Sequence, residues 1–193
     1  MGIDPGLTRC GVGVVDGRAG APGTMVAVHV IRTDPDASLA DRLLALDDGL
    51  RALLEEHQPE AVAVERVFSQ HNVASVIGTA QASGIALLAG ARLGLPTATY
   101  TPSEVKSAVC GNGTADKRQV TSMVTRILRL KEAPKPADAA DALAIAVCHL
   151  WRGGVKARIS AALDDSAARN DHAALNNSAA LRNRAALRKE SGR

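Results

Sequence analysis

Four carboxylates stand where a carboxylate is unusual. Asp4 closes the short segment Gly2-Ile3 and is followed by Pro5-Gly6, a sharp exit that leaves its side chain at a strand end. Glu65 terminates the apolar run Ala61-Val62-Ala63-Val64. Asp138 and Asp141 lie within Ala-Asp-Ala-Ala-Asp-Ala-Leu-Ala-Ile-Ala, and their i, i+3 spacing puts both on one helix face. Taken singly, Asp4 also reads as a turn residue, Glu65 as a surface acid and Asp138 as a helix-start acid favoured by the dipole. Together, in apolar surroundings, they point to chemistry. Carboxylates gathered in a partly buried site repel one another and raise each other's pKa. A divalent cation relieves that repulsion, and Mg²⁺ and Mn²⁺ prefer oxygen ligands. Two such ions about 3.5–4 Å apart can activate a water and stabilise the leaving oxygen of a phosphodiester.

The flanking segments predict what positions these acids. Residues 11–15 and 25–31 are β-rich, with Asp16-Gly17, Gly20, Pro22 and Gly23 turning between them; with Gly2-Ile3-Asp4 they read as an antiparallel meander. Leu39, Leu43, Leu46, Leu50, Leu53 and Leu54 recur at helical spacing until Gln58-Pro59 ends the helix. Ala61–Glu65 then reads as a buried parallel strand with its acid at the carboxyl end. Asn72 caps a helix through Arg92 rich in Ala, Ser and Gly, small enough for a second helix or subunit to approach closely, or for plain core packing. Pro96–Thr101 is a strand. Pro102 opens a short helix carrying Lys106, and Ala115–Leu130 is a basic amphipathic helix carrying Lys117. Ala133-Pro134-Lys135-Pro136 breaks the chain before a last helix from about Ala137 to Trp151. The order β-β-β-α-β-α-β-α-α-α implies an α/β fold, a mixed sheet with helices on its faces.

Composition narrows the class. The 193 residues are 46% hydrophobic and 22% charged, a mix that supports a packed core. The formal net charge of +3 is unevenly held: residues 1–152 carry 15 Lys+Arg against 16 Asp+Glu, and residues 153–193 carry 8 against 4. Residues 1–152 are thus expected to form the folded domain, and the Ala/Arg-rich stretch 153–193 a mobile tail. An acid and a proline within the first five residues are unlike a signal peptide, and no apolar run is long enough for a membrane span. Cys10, Cys110 and Cys148 form no C-x-x-C pair, so free thiols in a reducing cytoplasm are expected. The five histidines show no metal-ligand spacing, and Phe68, Tyr100 and Trp151 are too few for a base-stacking sheet surface.

The segments GIDPG (2–6), VERVF (64–68), TPSEVK (101–106), ADK (115–117) and PADAADALAIA (136–146) together resemble the RuvC family of Holliday-junction resolvases. The resemblance spans residues 2 to about 151 and implies a ribonuclease-H-like fold. It implies that Asp4, Glu65, Asp138 and Asp141 are the catalytic, metal-binding acids, with Mg²⁺ as cofactor, Mn²⁺ as substitute, and one or two ions per subunit. It implies that Lys106 and Lys117 lie near the scissile phosphate and junction backbone, and that Phe68 packs against junction bases. The expected activity is symmetric nicking of a four-way DNA junction by a homodimer in recombination and repair. The products would be 5′-phosphate and 3′-hydroxyl ends, with a branch-migration motor as partner. The first strand is shorter than is usual in the family. An actin- or sugar-kinase-like ATPase would need a second Gly-rich phosphate loop and an adenosine motif. A nuclease of ribosomal RNA precursors would lack VERVF and TPSEVK, and a non-catalytic nucleic-acid-binding module would not need all four acids.

Overall fold

A computed structural model describes residues 1–18, 21–66 and 73–153, with side chains in the last stretch from residue 76 onward. The elements follow the expected order: β1 (Gly2–Asp4), β2 (Arg9–Asp16), β3 (Thr24–Arg32), α1 (Leu39–His57), β4 (Val62–Glu65), α2 (Val73–Arg92), β5 (Thr97–Tyr100), α3 (Pro102–Cys110) and α4 (Lys117–Ile127). A further helix, α5, covers residues 137–153. Met1–Gly153 forms one compact unit. Asn72 and the stretch from 154 lie outside the described residues. No helix among the described residues is long and apolar enough to cross a membrane.

The five strands are ordered β3-β2-β1-β4-β5. The meander β1-β2-β3 is antiparallel, while β4 and β5 add in parallel beside β1. β1 is short, but the ladder extends through Met1, whose amino group donates to the Ala61 carbonyl (2.8 Å) and whose carbonyl accepts from the Ala63 amide (2.8 Å).

Strand alternation splits the core in two. Ile3, Val12, Val14, Val62 and Val64 pack against Leu46, Leu50 and Leu54 of α1 and Ala82, Ala86 and Ala89 of α2. On the opposite face, Ala63 and Tyr100 pack with Val105 and Val109 of α3, Val120 and Val124 of α4, and Leu143, Ile145 and Val147 of α5. Central β1 is thus covered on both sides, which anchors whatever its end presents.

Local chemistry sets the helix starts. Thr101 and Glu104 form a reciprocal capping box at α3, with Pro102 at the first helical position. Asp116 and Gln119 do the same for α4. That box starts α4 at Lys117 rather than Ala115, because Asp116 takes the extended cap conformation.

α2 uses its small residues on two faces. Inward, a side chain on Gly90 would approach Thr97 Cγ2 to 2.9 Å, so α2 lies close on the sheet. Outward, Ile77, Ala80, Gly84, Leu88 and Ala91 are all exposed and recur at i, i+3, i+7, i+11 and i+14, one continuous stripe.

Candidate active site

Asp4 and Glu65 end neighbouring parallel strands. Gly2 pairs with Ala63 and Ile3 with Val64, so one step further along both strands lie the two acids. Both project to the α5 face, because Ile3 and Val64 project to the other.

α5 brings the second pair of acids. It lies on β1 and β2 where the sheet has no side chains: Gly2 pairs with Gly13, and Asp4 with Gly11. A Cβ at Gly13 would come within 2.8 Å of the Leu143 nitrogen, and one at Gly11 would overlap the Asp138 carbonyl. Only glycine allows the helix backbone to sit this close. Asp138 and Asp141, near the start of α5, are thereby set beside Asp4.

Carboxylate oxygens of Asp4, Asp138 and Asp141 all lie within 4.8 Å of one another. Each of the three residues is partly buried. Glu65 stands beside this trio within electrostatic range. Burial pushes its carboxyl up to about 7, reinforced by the charges of Asp4 and Asp141 and opposed by Lys106 and Lys117. Burial likewise lifts Asp4 to about 6, reinforced by Asp141 and Asp138 and opposed by Lys117.

Three cations rim the acids. Lys117 Nζ lies 2.7 Å from Asp141 Oδ2, a bond that raises the ammonium pKa. Arg9 Nε lies 2.7 Å from Asp138 Oδ2. Lys106, partly buried on α3, acts on Glu65. The structure thus groups Asp4, Asp138 and Asp141 tightly and brings Glu65, Lys106 and Lys117 to their edge. Phe68 lies outside the described residues.

Sequence reasoning missed Arg9. Its signal was parity: Arg9 precedes Gly11 and Gly13 by two and four residues, so it projects to the same face and meets α5 at its start.

The donor set suits a metal. It is all carboxylate oxygen, the choice of a hard divalent cation, and within this cluster there is no histidine or cysteine. A cation bound here would offset the burial and the added repulsion that lift Asp4 and Glu65.

Comparison with known proteins agrees with this architecture. The family model described as Crossover junction endodeoxyribonuclease RuvC matches residues 1–149. A crossover junction endodeoxyribonuclease RuvC of Salinispora arenicola is 68% identical over 164 residues, covering 85% of this chain and 94% of that protein. One of Streptomyces griseus is 62% identical, covering 84% and 80%. Among solved structures, the Thermus thermophilus RuvC in complex with Holliday junction substrate superposes with a TM-score of 0.74 at 38% identity, covering 79% of this chain and 92% of that one. The mixed five-stranded sheet flanked by helices is the ribonuclease-H-like fold of those proteins. On the match over residues 1–149, the chain belongs to the RuvC family of crossover junction endodeoxyribonucleases.

Proposed function

We propose that the protein resolves four-way DNA junctions by symmetric, metal-dependent nicking during homologous recombination and DNA repair. The observation that carries this reading is the meeting of Asp4, Asp138 and Asp141, with Glu65 beside them, at the carboxyl end of a buried parallel strand pair. Family membership and the junction-bound relative support the substrate.

In this reading the four acids hold Mg²⁺, or Mn²⁺ in its place, one or two per subunit. The ion would supply Lewis-acid stabilisation of the phosphodiester and a ready nucleophile from water. The chain's own residues do the rest. Asp4 and Glu65 must be ionised to act as ligands, so the site is charged by proton loss. Lys117 and Lys106 present ammonium groups at the rim, where they draw in a backbone phosphate and counter the charge that builds on its oxygens. Cleavage leaves a 5′-phosphate and a 3′-hydroxyl. Phe68, three residues past Glu65, packs against junction bases.

A junction with near two-fold symmetry calls for two matched sites, hence a homodimer. The exposed stripe Ile77, Ala80, Gly84, Leu88 and Ala91 supports α2 as the contact, since its small residues let a second helix approach. Residues 1–152 form the nuclease domain and 153–193 a tail. The enzyme works in the cytoplasm alongside a branch-migration motor of the same pathway.

The test is to incubate a labelled four-way junction, and a linear duplex of the same sequence, with the protein and Mg²⁺. Paired nicks confined to the junction are expected. Equal cutting of both substrates would overturn the assignment.

A further inference from the structure

We propose that the outward side of α4 carries a track for the sugar-phosphate backbone of a DNA arm, made by Arg118, Ser122, Arg126 and Arg129. The inference rests on the junction-nuclease reading above and extends it to residues outside the acid site.

The spacing is regular. Positions 118, 122 and 126 follow i, i+4 and i+8, one side of the helix, Arg129 follows just past its C-cap, and all four residues are exposed. They line one groove together with Lys117 and Ala137, which join it to the acid site. Lys117 closes one end by its 2.7 Å bond to Asp141, and the track runs outward from there. At a rise of 1.5 Å per residue, Arg118 and Arg126 stand about 12 Å apart along the axis. Phosphates on one strand advance about 3.4 Å per nucleotide along the duplex axis, so this stretch matches roughly three to four nucleotides of an arm lying parallel to α4.

The charge is uncompensated. No carboxylate among the described residues lies within 4 Å of the Arg118, Arg126 or Arg129 guanidinium groups, whereas Arg9 and Arg92 both have acid partners. The neighbouring hydroxyls of Thr121 and Thr125 are engaged by the helix backbone, donating to the carbonyls of Lys117 (2.9 Å) and Thr121 (2.7 Å). The guanidinium groups and the Ser122 hydroxyl therefore remain to meet a phosphate.

A second observation is independent of charge. α4 ends in a full Schellman motif: the Leu130 amide donates to the Thr125 carbonyl (2.9 Å) and the Arg129 amide to the Arg126 carbonyl (3.2 Å). Arg129 occupies the left-handed position of that motif, with φ of 52°. Glycine is the usual residue there because a Cβ is disfavoured in this conformation. Folding alone would be served better by glycine. Arg129 holds this conformation with its side chain exposed along the groove.

Arg129→Gly therefore separates fold from function, since the two move in opposite directions. Its melting temperature should equal or exceed wild type, while its affinity for a four-way junction falls. Binding is measured with Ca²⁺ in place of Mg²⁺ across a salt series, for Arg118→Gln, Arg126→Gln, Arg129→Gly and the triple variant. Each single change should weaken binding roughly threefold to tenfold at low salt, and lower the slope of log affinity against log salt by about one. The triple variant should lower the slope by about three. Wild-type affinity and slope in the triple variant would overturn the track and leave the nuclease reading intact. That reading fails separately, if the wild-type protein does not cut the junction in Mg²⁺.

Discussion

Asp138 rests its main chain directly on Gly11: a single added methyl at position 11 would overlap the Asp138 carbonyl oxygen. One strand of the sheet thereby fixes the height of the helix that carries two of the site's acids. The contact is backbone on backbone, so no rotamer change can absorb an added side chain.

Gly11→Ala is the direct consequence. The start of α5 must lift, costing about 1–3 kcal/mol of stability by overpacking. Asp138 and Asp141 move away from Asp4 with it. Urea denaturation should show the loss of stability. Cleavage at fixed Mg²⁺ should fall further than binding of the junction, because the arginines of α4 are untouched. Full cleavage activity in a folded Gly11→Ala protein would contradict this placement of the helix.

The raised carboxyls set a pH dependence with opposite signs for fold and metal. Asp4 at about 6 and Glu65 at about 7 lie above their ordinary 3.8 and 4.5. Raised acids favour the folded state while protonated. Their contribution is full below the ordinary values and is lost as pH rises through 6 to 7. Without metal, these groups make the protein less stable at pH 8 than at pH 5. Asp4→Asn should raise the metal-free melting temperature at pH 8. Divalent ions bind the ionised form, so affinity should climb over the same range, with about one proton released per ion near pH 6.5. Calorimetry in two buffers of different ionisation heat measures that release. A pH-independent affinity would show that these acids are not the ligands.

Arg9 and Lys117 compete with a metal for the same oxygens, each holding a carboxylate at 2.7 Å. Arg9→Gln or Lys117→Met should tighten Mn²⁺ binding by roughly threefold to tenfold, the scale expected for one screened unit charge nearby. Lys117→Met should slow cleavage all the same, since its ammonium is proposed also to serve the phosphate. Unchanged Mn²⁺ affinity in both variants would mean that the pairs do not persist in solution.

The stripe on α2 gives a sign test for the dimer. A side chain at Gly84 meets nothing within 4 Å in the protomer. Gly84→Gln should therefore keep the fold and gain helix stability, by about 0.5–1 kcal/mol. It should also weaken dimerisation tenfold or more by holding the helices apart. Sedimentation across a concentration series reports both the wild-type and the variant state. A Gly84→Gln dimer as tight as wild type would move the interface elsewhere.

Much of this was legible in the residues. Leu39 through Leu54, the run Ala61–Val64 and the Asp138/Asp141 spacing each announce an element by local pattern, and the structure keeps their order. The proximity of Asp4, Asp138 and Asp141 was legible because acids ending or lying within apolar runs contradict their surroundings. Arg9 was hidden because it stands 129 residues from Asp138. Only strand parity and the glycine-lined seat of α5 connect the two. The left-handed Arg129 was hidden for a different reason. Helix ends of this type are read from glycine, and here the cue residue is absent. The tighter grouping of three acids, with Glu65 at their edge, depends on how far α5 sinks onto the sheet, which no spacing records.

Asp4, Glu65, Asp138 and Asp141 are proposed to form one cleavage site. The direct measurement is junction cleavage by wild type, Asp4→Asn and Asp138→Asn in Mg²⁺, with the bound fraction of junction determined for each. Wild type should give paired nicks. Both variants should lose at least about a hundredfold at equal bound fraction, as expected when a metal ligand is removed. Wild-type rates from either variant would contradict it.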